Sequence, residues 1–182
     1  MRFQAEKAVT CAVGLLLISG CATRPQVAPP PERVSRPYPA PRQPARVISA
    51  AAYVAAAGAI DLFEIEASEL ALERATMRRT RDFAEIMIRD HKGSSSQLSL
   101  AGRRLNLLPS AILDPRHQAM LDELRAAGDF DGTYRRQQTA VIADALALHS
   151  AYAGGGTSPT LRPVAAAILP VIQRHQRLLR YL

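Results

Sequence analysis

From Ser49 to Leu182 the apolar residues return every three or four positions, in five blocks separated by turn-forming residues. That spacing gathers side chains on one face of an α-helix, whereas a half-buried strand needs strict alternation, and no run of alternating β-branched residues occurs. The first block sets Tyr53, Ala57, Ile60, Glu64, Ala67 and Ala71 on one stripe, flanked by Phe63 and Leu70, with Ser49 placed to cap its start. A second helix, expected over about 77–104, carries Phe83, Met87, Asp90, His91, Leu98 and Ala101; Gly93 weakens it without breaking it. A third, shorter helix is expected to begin at Asp114 as cap, with Pro115 in its first turn, and to end at Gly128. Asp131 is the expected cap of a fourth, which carries Tyr134, Gln138, Val141, Ala145, Leu148 and Tyr152 until Gly154, Gly155 and Gly156 stop it. Ser158 and Pro159 are expected to restart the chain as cap and first position of a fifth, with Leu161, Ala165, Ile168, Ile172, His175 and Leu179 on its stripe and a bend at Pro170. Such stripes are hidden only against one another, so the expected class is all-α: a four-helix bundle with one additional short helix, spanning 48–182.

The residues ahead of this domain read differently. Residues 24–47 hold eight of the chain's 13 prolines and no sustained apolar period, the signature of an extended, disordered tether. At about 3.1 Å per residue it reaches roughly 80 Å when fully extended. Before it, Arg2 and Lys7 precede an apolar run from Ala8 to Ile18, then Ser19, Gly20 and Cys21. The run is too short for a bilayer-spanning helix, which needs about 20 residues, and reads as a signal peptide over 1–20. Ile18-Ser19-Gly20-Cys21 resembles the lipobox of bacterial lipoproteins, which implies that Cys21 carries fatty acids such as palmitate and becomes the new N-terminus. Several acyl chains hold a soluble domain firmly where one does not. In that class an aspartate after the cysteine commonly retains the product in the inner membrane; here Ala22 follows, which implies the outer membrane, with the domain facing the periplasm.

The formal charge of +7 suggests nucleic acid until it is placed along the chain. Residues 1–20 carry +1, residues 21–47 carry +4, and only +2 remains for the folded part. A nucleic-acid surface is therefore not expected. The tether arginines are either a contact to anionic lipid or other envelope polyanions, or simply keep the linker solvated. Cys11 lies within the signal, so the mature chain has no second cysteine for a disulfide and its fold rests on its core.

No nucleophile elbow, cysteine pair or phosphate loop is present. The polar residues on predicted apolar stripes, Glu64, Asp90, His91 and His175, are the candidate site. An ionisable group buried in a bundle is costly unless it is paired, hydrogen-bonded or metal-bound. Carboxylates and imidazoles from separate helices suit iron, manganese or zinc. No Glu-x-x-His, the signature of di-iron bundles, occurs. Helical rise sets Glu64 and His91 about 18 and 22 Å from the turn near 76. Counted from the glycine turn, His175 comes within about 6 Å of His91 if the fourth helix enters from the far end, or about 13 Å if the short helix first carries the chain back. The first geometry permits a shared site and the second argues against one. His117 and His149 fall beside their stripes and are expected at the surface or boundary.

The run Glu64-Ile65-Glu66-Ala67-Ser68-Glu69-Leu70-Ala71, the segment Met87-Ile88-Arg89-Asp90-His91, the segment Phe130-Asp131-Gly132-Thr133-Tyr134, and Leu169-Pro170 with His175 resemble the ferritin-like bacterial envelope family catalogued as domain of unknown function 4142. The resemblance implies an exported, ferritin-like bundle with no assigned biochemical role, in which Glu64, Asp90, His91 and His175 match recurring polar positions. The family commonly has His four residues after a Gln; here Ile142 follows Gln138. The leading expectation is a non-enzymatic, lipid-anchored binding or structural module without a cofactor. The competing one is a degenerate metal site with oxidase, peroxide-handling or metal-sequestering activity.

Overall fold

The computed structural model describes residues 47–182. The expected signal peptide, Cys21 and all of the expected tether but Val47 lie outside the described residues. Those residues form five α-helices and a closing 3₁₀ turn, with no strand among them: α1 (Ala50–Arg74), α2 (Arg78–Arg103), α3 (Pro115–Ala126), α4 (Phe130–Gly155), α5 (Arg162–Leu178) and the turn Leu179–Tyr181. The expected all-α class is thus observed. Among the described residues no helix is long and apolar enough to cross a membrane.

Local chemistry accounts for most of the boundaries. Ser49 caps α1, its hydroxyl accepting from the Ala52 N–H at 3.2 Å. Asp114 caps α3 by accepting from His117 N–H at 2.9 Å, with Pro115 in the first turn. α2 runs unbroken through Gly93, and α5 through Pro170.

Two expected caps are corrected. Asp129, not Asp131, caps α4, accepting from Gly132 N–H at 3.0 Å. Asp131 is used across the fold instead. Its carboxylate accepts from Thr76 N–H (3.0 Å), Thr76 Oγ1 (2.7 Å) and Met77 N–H (3.3 Å), satisfying the start of α2, whose own N-cap residue Met77 makes no side-chain cap. α5 begins at Arg162 behind a turn in which Ser158 C=O accepts from Leu161 and Arg162, so Ser158 and Pro159 precede the helix.

Arg74 and Asp131 also settle the topology. Arg74, at the end of α1, donates to the carbonyls of Leu124 and Ala127 at the end of α3. Asp131 ties the start of α4 to the α1–α2 turn. The short helix therefore carries the chain back along α1 before α4 begins. α1 and α5 run one way, α2 and α4 the other, and neighbours around the ring are α1–α2, α2–α5, α5–α4 and α4–α1, with α3 outside against α1 and α4.

The core forms two clusters. One, about Phe63, Met87, Leu124, Tyr134 and Ile172, fills the end near the α1–α2 turn. The other, about Tyr53, Leu98, Tyr152 and Leu161, fills the end where the chain enters α1. The 104–114 loop closes over α1 at Gly58, where any Cβ would collide with the Pro109 ring. Asn106, at φ 54°, supplies the left-handed residue that turns this loop away from α2.

Candidate functional site

Between the two clusters the interior is polar. Asp61 and Glu64 from α1, His91 and Ser94 from α2, Gln138 from α4 and His175 from α5 are all buried at mid-height. His91 Nδ1 donates to Asp61 Oδ1 at 2.8 Å, and Ser94 Oγ donates to the same oxygen at 2.7 Å. His175 Nε2 donates to Asp90 Oδ2 at 2.7 Å, and Arg174 pairs with that carboxylate from outside. The His91 and His175 ring centroids are 5.3 Å apart. Gln138 Nε2 donates to Glu64 Oε2. Four buried atoms of this centre are left without a protein partner: His91 Nε2, His175 Nδ1, Glu64 Oε1 and Gln138 Oε1.

Each ionisable group is tuned by what surrounds it. Burial pushes the Glu64 carboxyl up to about 7, against the opposing pull of His91 and the Gln138 amide. Burial disfavours charge on His91, but the hydrogen bond and charge of Asp61, aided by Glu64 and Asp90, outweigh it and raise its pKa. Burial and the nearby His91 charge lower His175 to about 4 although Asp90 favours its cation. Burial works against the Asp90 carboxylate too, yet His175 and Arg174 hold its pKa below the usual range. The centre thus sets two carboxylate-backed imidazoles, one favoured and one disfavoured as a cation, beside a carboxyl poised to exchange its proton near neutrality.

The chain takes the return path that argues against a shared site, yet His91 and His175 are neighbours. The reason is where α5 starts. Residues 156–161 are not helical, so His175 stands 13 helical residues, about 20 Å, above Arg162, and His91 stands 12 residues, about 18 Å, above Arg103. Asp90 is the outlier among the four expected residues. It sits at the rim, its side chain 11% exposed, and reaches the centre only through His175.

Asp61, Ser94 and Gln138 complete the centre. Asp61 has a legible signal: with Glu64 and Ser68 it continues a three-and-four spacing beside the chosen stripe, and Ser68 is buried as well, its Oγ 2.8 Å from Tyr134 OH. His117 and His149 are corrected from surface to interior. Both lie on true stripes, His117 with Leu121 and Leu124, and His149 with Ala145 and Tyr152. His117 packs on Phe63 and donates to Asp114 at 2.7 Å. His149 Nδ1 lies 2.9 Å from Tyr53 OH, whose ring stacks on Tyr152.

Burial lowers His149 to about 4, below its unfolded value. A folded pKa depressed in this way gives stability that is present above about pH 6.5 and lost as pH falls toward 4, worth on the order of 3 kcal/mol for this one group. His149→Gln keeps an acceptor for Tyr53 and does not titrate. Urea unfolding at pH 7 and pH 4 is expected to show wild type losing that increment relative to the variant; parallel profiles would contradict the assignment.

The fold and this interior define a class: a small helical bundle with carboxylate-backed imidazoles at its centre. The chain belongs to the family described as domain of unknown function (DUF4142), whose model matches residues 36–182. It is similar to the solved structure of CopM in the Cu(II)-bound form, with 17% sequence identity and a TM-score of 0.64 over 74% of this chain and 95% of that one. At that identity the likeness is one of fold. No curated protein matches the chain.

Proposed function

We propose that this protein is a non-enzymatic binding module of the cell envelope, held at the outer membrane through a lipidated Cys21, and that its bundle binds a transition-metal ion at His91 and His175. One observation carries the metal reading. Each imidazole donates a ring N–H to a carboxylate and keeps its other nitrogen buried and unpartnered. Metal-ligating histidines are held in this way, the carboxylate fixing the tautomer and ring orientation. A buried polar atom without a partner costs about 1–3 kcal/mol, so the pair favours an occupant.

The donors fit an ion in kind. Imidazole suits copper and zinc, and two rings sharing one ion at about 2.0–2.1 Å from each nitrogen have centroids roughly 5 Å apart. In number they fall short: among the described residues no group of three or more His, Cys, Asp or Glu is gathered to hold an ion. Ile142, one turn from Gln138, supplies no donor. The proposed ligands are His91 Nε2 and His175 Nδ1, with Glu64 Oε1 as the carboxylate beside them. The likeness to a Cu(II)-bound protein makes copper the first ion to try. A bound ion would supply charge that neutralises Glu64 and partners the bare imidazole nitrogens.

The second reading, a polar network with no metal, is favoured by Glu64, which burial lets carry its own proton near neutrality. Metal analysis separates the two. The purified protein is loaded with Cu(II), Zn(II), Fe(II) or Mn(II) and then desalted. A single retained equivalent, lost in His91→Phe and in His175→Phe, is the expected result, and a folded protein that retains nothing would leave only the network. Consumption of O2 or peroxide by the loaded protein would instead favour the oxidase or peroxide-handling alternative. The anchor has its own test: Cys21→Ser is expected to abolish fatty-acid labelling and release the domain from membranes.

A further inference from the structure

The end of the bundle where the chain enters α1 has a surface unlike the rest. Four of the seven exposed large hydrophobic residues are there: Val47 (66% exposed), Leu100 (63%), Leu108 (63%) and Ile112 (78%). The last two lie on the 104–114 loop, which the cluster of Ile48, Ala50, Leu105, Leu107 and Leu161 ties to the entry point of the chain. Arg103 and Arg104 at the end of α2 and Arg162 at the start of α5 are exposed at the same end and make no ion pair among the described residues. Carboxylates are nearly absent. Residues 47–60, 91–113 and 145–182 contain no Asp or Glu, and Asp114 is engaged in capping α3 and holding His117.

We propose that this end is a membrane-contact face, on which Leu108 and Ile112 enter the interface of an anionic phospholipid bilayer while Arg103, Arg104 and Arg162 meet its head groups. The occupant follows from position and charge. Val47 lies at this end, so the chain leading to Cys21 leaves the domain here; this part rests on the lipid-anchor reading. The tether does not enforce the contact. Twenty-five residues separate Cys21 from Val47, long enough for the domain to stand well clear, so docking depends on the surface itself. Exposed Leu and Ile at the same end as unpaired arginines, with carboxylates kept away, are what an anionic interface attracts and a neutral aqueous one does not.

The chain has no tryptophan, so a single one is a clean probe. The lipidated protein carrying Ile112→Trp is placed on vesicles of phosphatidylethanolamine and phosphatidylglycerol containing brominated lipid. Blue-shifted, quenched emission is expected, while Tyr181→Trp, at the opposite end, stays unshifted and unquenched. Neutral phosphatidylcholine vesicles are expected to give weaker quenching. Replacing Arg103, Arg104 and Arg162 together by Gln is expected to lower the docked-to-free ratio on the order of 100-fold. Tryptophan 112 that stays unquenched although the protein sediments with vesicles overturns the face and leaves the anchor standing. A protein that fails to sediment and takes no fatty-acid label overturns the anchor; titrating that protein with the same vesicles then decides the face, quenching supporting it and its absence overturning it. A blue shift that grows with protein concentration in the absence of lipid identifies a self-association surface and overturns the proposal.

Discussion

Replacing Asp61 by alanine is expected to cost about 3–5 kcal/mol of folding stability, the cost of breaking one side of a buried ion pair. Asp61 Oδ1 accepts from both His91 Nδ1 and Ser94 Oγ, and all three residues are buried. Without the carboxylate, His91 loses the group that outweighs its burial, so its cation is no longer held, and the buried ring N–H and the Ser94 hydroxyl both lose their acceptor. Asp61→Asn keeps an oxygen that can accept both bonds but removes the charge, and is expected to cost roughly 1–3 kcal/mol. Asp90→Asn should cost less than Asp61→Ala, because Asp90 sits at the rim where water can replace it. Urea midpoints with unchanged slopes measure all three. An Asp61→Ala protein within 1 kcal/mol of wild type would mean that His91 finds another partner, and the centre as described would be wrong.

Introducing a histidine at position 142 tests the metal reading from the opposite direction. Ile142 is buried on α4, one turn below Gln138, whose amide already reaches Glu64. Ile142→His adds an imidazole to that face of α4. Without metal the variant is expected to lose about 1–3 kcal/mol, since a polar ring replaces an apolar side chain in a closed interior. With Cu(II) its affinity is expected to rise on the order of 100-fold, because a direct donor is worth at least as much as the outer-shell partners whose loss costs 10–100-fold. Binding only the folded state, the ion should also raise thermal stability more in the variant than in wild type. Equal affinities, measured by competition with a chelator, would show that α4 does not face an ion site at all.

The helices were legible because their signals are local. Ser49, Asp114 and Pro115 cap and start helices through contacts within three residues, and the three-and-four spacing survives Gly93 and Pro170. Asp129 and Asp131 show where local reading fails. Both carboxylates stand at the start of α4, and only the arrival of the α1–α2 turn, more than 50 residues away in sequence, makes Asp131 a cap for α2 and leaves α4 to Asp129. The same holds for His149, one position from the expected stripe residue Leu148, a difference of about 100° around the helix that only packed neighbours can resolve.

By itself, then, the sequence determined an all-α domain, a family, and three of the residues at its centre, because hydrophobic period and capping act over a few residues. It also marked Cys21 as the expected point of attachment. Which polar groups meet was decided by tertiary structure alone. Asp61 and His91 pair across 30 residues and Asp90 and His175 across 85, and both pairings depend on how the helices are rotated and on six non-helical residues that set the height of α5. No local pattern encodes a rotation or a height. Those come from packing the two apolar clusters, and the polar centre is what lies between them.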